Sequence, residues 1–363
     1  MGIYIVKRLF LILPTLFGII LVNFVIVQFA PGGPIEQIVA QVTTGTMSTT
    51  SGISGGGDAG VNSAAVETGG QSLGSYGLDP DLIADLERQF GFDKPAHERF
   101  LEMLVDYLRF DFGTSYFQDR PVLDLILERI PVSVSLGLWS ILLIYGISIP
   151  LGVAKAVRDG TPFDFWTGTA IFVGYAIPGF LFAIMLIVIF AGGNYFDLFP
   201  LRGLVSDNWD SLSWPNRIKD YFWHLALPIT ALTIGGFAVL TMLTKNSFIE
   251  EIGKQFVMTA RAKGLTERRV LYGHVFRNAM LIVIAGFPSA FIGIFFTQSL
   301  LIEVIFSLDG MGLLSYEAVI KRDYPILFGT VFCFTLIGLI MQLIGDLIYV
   351  AVDPRIDFEG REV

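Results

Sequence analysis

The sequence predicts an all-α integral membrane protein with six transmembrane helices, an external helical segment and one large polar cytoplasmic loop. Hydrophobic residues make up 53% of the 363 residues, charged residues only 16%, and the mean hydropathy is +0.65, whereas a soluble domain carries about 25% charged residues. Apolar runs of ~20 residues, the length that crosses a hydrocarbon layer as a helix, recur along the chain. They lack the two-residue alternation of a barrel strand, and backbone in lipid must pair within its own helix. These observations exclude a soluble enzyme, a disordered chain and a fibrous protein.

The predicted spans cover residues 9–30, 132–153, 166–191, 225–243, 280–302 and 326–350. Pro14, Pro178 and Pro288 lie inside or near spans and are expected to kink them, because proline lacks the amide hydrogen of the helical ladder. We treat the first span as an uncleaved helix. Its apolar run is longer than that of a signal peptide, and Gln28 occupies a position where a cleavage site needs a small residue.

The distribution of charge predicts the orientation. Residues 245–277 are rich in Lys and Arg, and Lys7, Arg8, Lys155 and Arg158 flank the first two spans, so these segments and both termini are expected in the cytoplasm. Residues 31–131 contain 15 acidic and 6 basic residues and are expected outside. The chain thus divides into residues 1–30 (tail and first span), 31–131 (external segment) and 132–363 (transmembrane core).

The external segment has two parts. Residues 40–78 are rich in Gly, Ser and Thr and predict a flexible loop, because few large apolar side chains are present to offset the ordering entropy. Residues 79–131 predict a helical part. A first helix begins at Asp79-Pro80, a second carries Phe100, Leu104 and Leu108 on one face, and a third short helix follows Pro121.

The cytoplasmic loop, residues 245–278, predicts two short helices joined by a tight corner. Phe256, Val257, Ala260 and Gly264 form an apolar strip at helical spacing, and Gly264 is expected to end the first helix in a left-handed conformation. Thr266 is expected to cap the second helix. The residues alone leave two interpretations open: a basic knob that docks into a groove of a cytosolic partner, or an interfacial helix that follows from the positive-inside rule.

The residue inventory argues against catalysis, metal binding and nucleic-acid binding. Cys333 is the single cysteine and there are three histidines, which lack metal-ligand spacing. No cofactor or metal is expected, the net charge of −9 disfavours nucleic acid, and the nucleotide-binding pattern G-x-x-x-x-G-K-[ST] is absent. Glu303 and Gln298 are candidates for a substrate pathway, while Asp346 is interpreted as structural. A secondary transporter or channel remains the alternative, whereas a membrane-embedded enzyme lacks its motifs.

Several separated segments together resemble the dipeptide/oligopeptide ABC-importer permeases over nearly the whole chain. The loop contributes Phe256-Val-Met-Thr-Ala-Arg-Ala-Lys-Gly264 and His274. Other matches are Pro31-Gly-Gly-Pro34, Phe112-Gly-Thr-Ser115, Gly310-Met-Gly312, Arg322-Asp-Tyr-Pro325 and Asp353-Pro-Arg355. Within the family, Gly174-Tyr-Ala-Ile-Pro178 and Thr241-Met-Leu-Thr-Lys-Asn-Ser247 are most similar to the YejB-type branch, whose importers carry peptides and microcin C.

The resemblance implies a type I ABC importer permease in a bacterial inner membrane. Such a permease pairs with a second permease subunit, receives peptide from a periplasmic binding protein, and is driven through alternating access by cytosolic ATP-binding subunits. It implies that these subunits dock on the coupling loop, through Thr259, Ala260, Arg261, Ala262, Lys263, Gly264, Arg268 and Arg269. The broader signature has Glu-Ala where this chain has Met258-Thr259, so no carboxylate contact is expected at residue 258.

Overall fold

A computed structural model describes residues 2–29, 94–193, 195–296 and 299–352. Within these residues the secondary structure is helical apart from one isolated bridge between Thr114 and Pro121, so the predicted all-α class is confirmed. Some predictions fall outside the described residues: the Pro31-Gly-Gly-Pro34 segment, the flexible loop 40–78, the helix expected at Asp79-Pro80, Gln298 and the closing motif Asp353-Pro-Arg355.

Twelve α-helices are present in the described residues. They are α1 (Gly2–Phe29), α2 (Ala96–Leu108), α3 (Val122–Val157), α4 (Pro162–Ala176), α5 (Gly179–Phe190), α6 (Trp214–Ile252), α7 (Gln255–Ala262), α8 (Glu267–Val270), α9 (Phe276–Phe296), α10 (Ser299–Ile305), α11 (Met311–Lys321) and α12 (Tyr324–Val352). A short 3₁₀ turn spans Trp209–Ser211, and a π turn, Leu271–Val275, joins α8 to α9.

Five helical segments are long and apolar enough to cross a membrane: most of α1, all of α3, α6 and α12, and the run Glu267–Phe291 through α8 and α9. The third predicted span is a pair of helices, because α4 and α5 meet at an angle of 92°. Ile177 and Pro178 are extended at the break, as expected of a proline and the residue before it. Counting the pair as one span gives the predicted six.

A helix begins after Pro121 as predicted, but the prediction that it is a short, separate element is wrong. It is the first part of α3, which runs unbroken for 36 residues from Val122 to Val157. Pro131 and Pro150 lie inside this helix. At about 1.5 Å per residue, α3 is ~54 Å long and therefore exceeds the ~30 Å of a hydrocarbon layer.

The larger of two compact units is built on residues Asp124–Glu317 and is organised around α6. Two hydrophobic clusters lie along this helix. The proximal cluster, next to α7, contains Ile141, Ile144, Val153, Ala156, Leu240, Phe248, Val257, Ala260, Val270, Val275, Ala279, Met280 and Val283. The distal cluster contains Leu136, Ala183, Leu186, Ala191, Leu225, Leu227, Ile229, Ala231, Leu232, Ile302, Phe306 and Leu308.

The smaller unit contains α2, the segment leading to α3, and Ala318–Phe332. Its centre is aromatic: the ring of Tyr107 lies edge-on to Phe112 at 5.1 Å and to Phe332 at 5.5 Å. Beside it, Ser115 Oγ donates a 2.5 Å hydrogen bond to Oδ2 of the buried Asp323. Two of the family-like segments, distant in sequence, are therefore joined by one hydrogen bond.

Candidate coupling surface

The corner between α7 and α8 is built on Gly264. This glycine has φ +77°, a conformation that costs an L-residue about 1 kcal/mol. Its amide donates to the carbonyl of Arg261 at 2.9 Å, and the amide of Leu265 donates to the carbonyl of Ala260 at 3.3 Å. This pair of bonds, with apolar Leu265 packed inward, is the Schellman motif that ends a helix at glycine. The predicted left-handed Gly264 is confirmed.

The second helix begins where the sequence predicts. Thr266 occupies the N-cap position in an extended conformation, but its side chain makes no capping hydrogen bond. Glu267, the next residue, instead forms two bonds across the corner: its Oε1 lies 2.9 Å from Arg261 Nε, and its Oε2 accepts from Arg261 Nη2 at 3.0 Å. Both side chains are largely exposed, so this bidentate pair stiffens the corner while adding at most about 1 kcal/mol.

Helix α7 has one face turned toward the protein and one turned away. Val257 is fully buried in the proximal cluster and Ala260 is 6% exposed. Ala260 therefore packs against its own chain, and its small side chain does not belong to a surface that a partner could reach. The outward face presents Met258, Thr259, Arg261, Ala262 and Lys263, followed by Gly264, and α8 adds Arg268 and Arg269.

A groove of about 380 Å³ runs between α7, α8 and the end of α3. Ala156, Val157 and Val257 line its apolar floor, while Arg261 and Glu267 lie at its rim. Because Val157 is 56% exposed, this apolar floor is continuous with the surface of α3. The groove and the basic residues of α8 together form a mixed apolar and cationic surface, which suits a protein partner with carboxylates.

The base of α6 connects the corner to the transmembrane helices. Glu251 and Lys254 form an ion pair just before α7, and the hydrogen bond with Glu251 raises the pKa of Lys254. One turn earlier, Ser247 Oγ donates to the carbonyl of Ala279 in α9 at 2.7 Å. Thus both helices that flank the loop are fixed to each other at its root.

A cluster of charges near this root was not predicted from the sequence. Lys155 and Lys245, treated only as markers of orientation, both contact the carboxylate of Asp164, at 2.8 and 2.7 Å. The signal available in the sequence was the pair Asp159 and Asp164 at the junction between two apolar spans. That pattern does not specify which lysines would meet it, because the partners come from different helices.

The structure places Glu303, a candidate for the substrate pathway, inside the helical bundle. Its side chain is fully buried, and Oε2 accepts a 2.7 Å hydrogen bond from the amide of Leu313 in the first turn of α11. A carboxylate at a helix N-terminus is stabilised by the free amides there, so Glu303 caps α11 in this structure. Gln298, the other pathway candidate, lies outside the described residues.

Asp346 has the structural role that was predicted. Its Oδ2 lies 2.9 Å from Nη2 of Arg8, so an ion pair joins α12 to α1. Nearby, Arg277 Nε donates to the carbonyl of Val352 at 2.5 Å, which satisfies one of the carbonyl groups left free at the end of α12. Arg8 and Arg277 thus each bond to α12.

Comparison with known proteins agrees with these features. A family model described as the binding-protein-dependent transport system inner membrane component matches residues 148–358. The peptidoglycan transport system permease protein YejB of Agrobacterium fabrum is 61% identical over 364 residues, covering 100% of both chains. The inner membrane ABC transporter permease protein YejB of Escherichia coli O157:H7 is 58% identical over 99% of this chain and 100% of its own.

A more distant relative broadens the comparison. The oligopeptide transport system permease protein AppB of Bacillus subtilis is 32% identical over 99% of this chain and 100% of its own. The resemblance on which the sequence analysis relied is therefore confirmed, including its YejB-type branch, and the several apolar spans fit a multi-pass inner membrane protein. The chain belongs to the family of binding-protein-dependent transport system inner membrane components, the permeases of ABC importers.

Proposed function

We propose that this chain is a permease subunit of a type I ABC importer for short peptides. The observation that carries the proposal is the end-to-end identity of 61% with a permease named for peptidoglycan transport, with an oligopeptide permease further behind at 32%. Peptidoglycan fragments and oligopeptides share a peptide backbone, so the common substrate class is the peptide. Peptide antibiotics such as microcin C belong to the same class.

The energy is supplied by other chains. Cytosolic ATP-binding subunits dock on the coupling loop, a second permease completes the transmembrane pathway, and a periplasmic peptide-binding protein delivers the substrate. Both termini lie in the cytoplasm in this arrangement. The residues that contact the ATP-binding subunit are the exposed ones, namely Thr259, Arg261, Ala262, Lys263, Gly264, Arg268 and Arg269, while Ala260 holds α7 against its own chain.

The packing of α7 supports alternating access by transmitted force. Because Val257 and Ala260 pack in the proximal cluster with residues of α3, α6 and α9, a displacement of α7 must move these helices or break the cluster. ATP binding shifts the permease between its two orientations only by its differential affinity for them. Because the docking surface moves with the spans, the ATP-binding subunits meet a different surface in each orientation and can bind one more tightly than the other.

The test is a matched pair of tryptophan substitutions in the complete importer, reconstituted in liposomes with its binding protein. Gly264 and Gly193 both have positive φ and open space around the position of a β-carbon, so the substitutions carry similar backbone strain. Gly264→Trp is expected to abolish ATP-driven uptake of a labelled tripeptide while the chain still inserts, and Gly193→Trp to retain uptake. Normal uptake by Gly264→Trp contradicts docking at the corner. Uptake by liposomes that contain this chain alone contradicts the whole proposal and favours a secondary transporter or channel.

A further inference from the structure

Asp164 joins three helices at the end of the bundle that carries the coupling loop. It lies in the first turn of α4. Its Oδ1 is 2.8 Å from Nζ of Lys155 near the end of α3, and its Oδ2 is 2.7 Å from Nζ of Lys245 in α6. The side chains of Lys155, Asp164 and Lys245 are only 1%, 12% and 13% exposed. One carboxylate therefore bridges two lysines from two other helices, away from solvent.

Hydrogen bonds add to these ion pairs. Nζ of Lys155 also donates to the carbonyl of Asp164 at 2.6 Å and to Thr167 Oγ1 at 3.0 Å. The amide of Gly160 donates to Oδ2 of Asp164 at 3.3 Å. Asp159, which is 55% exposed, pairs with Lys245 at 2.8 Å. The cluster holds two positive and two negative side chains, so its formal charge is balanced.

A buried ionic cluster of this kind adds little stability, but it fixes the relative positions of the helices that carry the charges. The cost of removing the charges from water offsets most of their attraction, so apolar side chains of similar volume would stabilise the fold equally well. Unlike apolar contacts, the bonds between these charges depend on the relative orientation of the groups that form them. The bonds to Asp164 can form only when the ends of α3, α4 and α6 lie in one relative arrangement.

The same end of α6 receives any displacement of the coupling loop. Lys245 lies one turn from Phe248, which is fully buried in the proximal cluster with Val257 of α7. Helix α6 also approaches α3 closely at Gly152. A β-carbon at residue 152 would lie only 2.6 Å from Cβ of Thr244. Helices α3 and α6 are thus held by packing, and α4, the first half of the broken span, is joined to both of them at this end through Asp164.

We propose that Asp164 is a positioning residue for transport, which locks α4 to α3 and α6 so that a displacement of the coupling loop also moves the broken span α4–α5. The inference rests on the proposed function, since it assumes that force enters through α7. Without the lock, α6 follows the coupling loop while α4 lags behind. ATP is then hydrolysed with less peptide transported.

The first test compares Asp164→Asn with Asp159→Asn in the reconstituted importer, with peptide uptake and ATP hydrolysis measured on the same liposomes. Both variants remove one negative charge that contacts Lys245, but only Asp164 bridges the helices. Asp164→Asn is expected to raise the ratio of ATP hydrolysed to peptide transported about two- to thirtyfold, the range in which residues along a coupling route act. Asp159→Asn is expected to leave the ratio unchanged. An unchanged ratio for Asp164→Asn overturns the proposal.

A double variant separates positioning from simple charge balance. Lys155→Met combined with Asp164→Asn leaves the balanced pair Lys245 and Asp159, so the assembly and thermal midpoint of the complex are expected to recover. The ratio of ATP to peptide is expected to stay raised. A ratio that returns to the wild-type value overturns the positioning role, and this variant decides the question even where Asp164→Asn alone fails to assemble.

A distance measurement tests the lock without reference to transport. Spin labels at the exposed positions T169C in α4 and I249C in α6, with C333S to remove the native thiol, report the distance between the two helices. A narrow distribution is expected in the parent and in Asp159→Asn, and a broad one in Asp164→Asn. An equally narrow distribution in Asp164→Asn overturns the lock, whereas a wild-type complex that transports no peptide contradicts only the proposed function.

Discussion

Gly310 lies directly against the carboxylate of Glu303, in a space that a β-carbon on residue 310 would have to share with that carboxylate. Glu303 cannot easily move aside, because it is fully buried and its Oε2 holds the amide of Leu313 at 2.7 Å. The segment between α10 and α11 is fixed as well: Ser133 Oγ of α3 accepts a 2.8 Å hydrogen bond from the amide of Met311. The first glycine of the resemblance segment Gly310-Met-Gly312 is therefore explained by packing on a helix cap.

A β-carbon at residue 310 should destabilise this cap. Gly310→Ala is expected to lower the free energy of unfolding by about 1–3 kcal/mol, the usual cost of overpacking a filled site, and to lower the thermal midpoint in detergent. Gly286→Ala in α9 is the control, because a β-carbon there meets no atom within 4 Å. Equal midpoints for the two variants would contradict the close contact with Glu303.

The approach of α3 to α6 at Gly152 gives a second prediction. A β-carbon at Gly152 would lie 2.6 Å from Cβ of Thr244 and 2.9 Å from the carbonyl oxygen of Thr241. Because a helix backbone cannot yield as a side chain can, Gly152→Ala is expected to cost about 1–3 kcal/mol. Gly146→Ala, on the same helix with no atom within 4 Å, should be neutral or slightly stabilising. Unfolding of both variants in detergent, by guanidinium or by heat, measures the difference in stability.

Burial of α7 predicts that two adjacent residues respond differently to truncation. Val257 is fully buried and Met258 is 58% exposed. Val257→Ala removes two buried methyl groups and should cost ~2 kcal/mol, while Met258→Ala should change stability by less than ~0.5 kcal/mol. Limited proteolysis at the coupling loop measures this locally, with faster cleavage expected for Val257→Ala. Faster cleavage of Met258→Ala instead would mean that the two faces of α7 are reversed.

The exposed pair across the corner should contribute little to stability. A double-mutant cycle of Arg261→Ala and Glu267→Ala is expected to give a coupling energy of about 0.2–1 kcal/mol, since solvent screens both charges. The coupling should decrease further as salt is raised. A value of several kcal/mol that is independent of salt would show that the corner is shielded, which is inconsistent with the exposed side chains.

The hydrogen bond between Ser115 and Asp323 should matter more, because Asp323 is only 2% exposed. Ser115→Ala removes a donor to the buried carboxylate and also the acceptor for the amides of Phe117 and Gln118. The expected cost is about 1–3 kcal/mol, as for other buried polar groups that lose a partner. Ser211→Ala is the control, since its hydroxyl bonds an exposed carbonyl of Asn208. Thermal midpoints of the two variants should differ clearly.

Much of the chain's organisation follows from local sequence. An apolar run of ~20 residues must be a helix in lipid, so the spans could be predicted one at a time. The corner at Gly264 is also a local feature, since glycine is the usual residue where a helix ends in a left-handed conformation. The family likewise follows from segments that can be recognised singly.

Contacts between helices were decided only by the tertiary structure. The sequence places Lys155, Asp164 and Lys245 on three different helices, and nothing in their spacing specifies that they meet. Glu303 is a pathway candidate because it lies near the outer end of a predicted span; that its side chain is buried and caps α11 is visible only in the structure. Periodicity determines which side of a helix is apolar. Which residues of another helix pack against that side depends on crossing angles and close approaches, such as the one at Gly152, that exist only in the folded bundle.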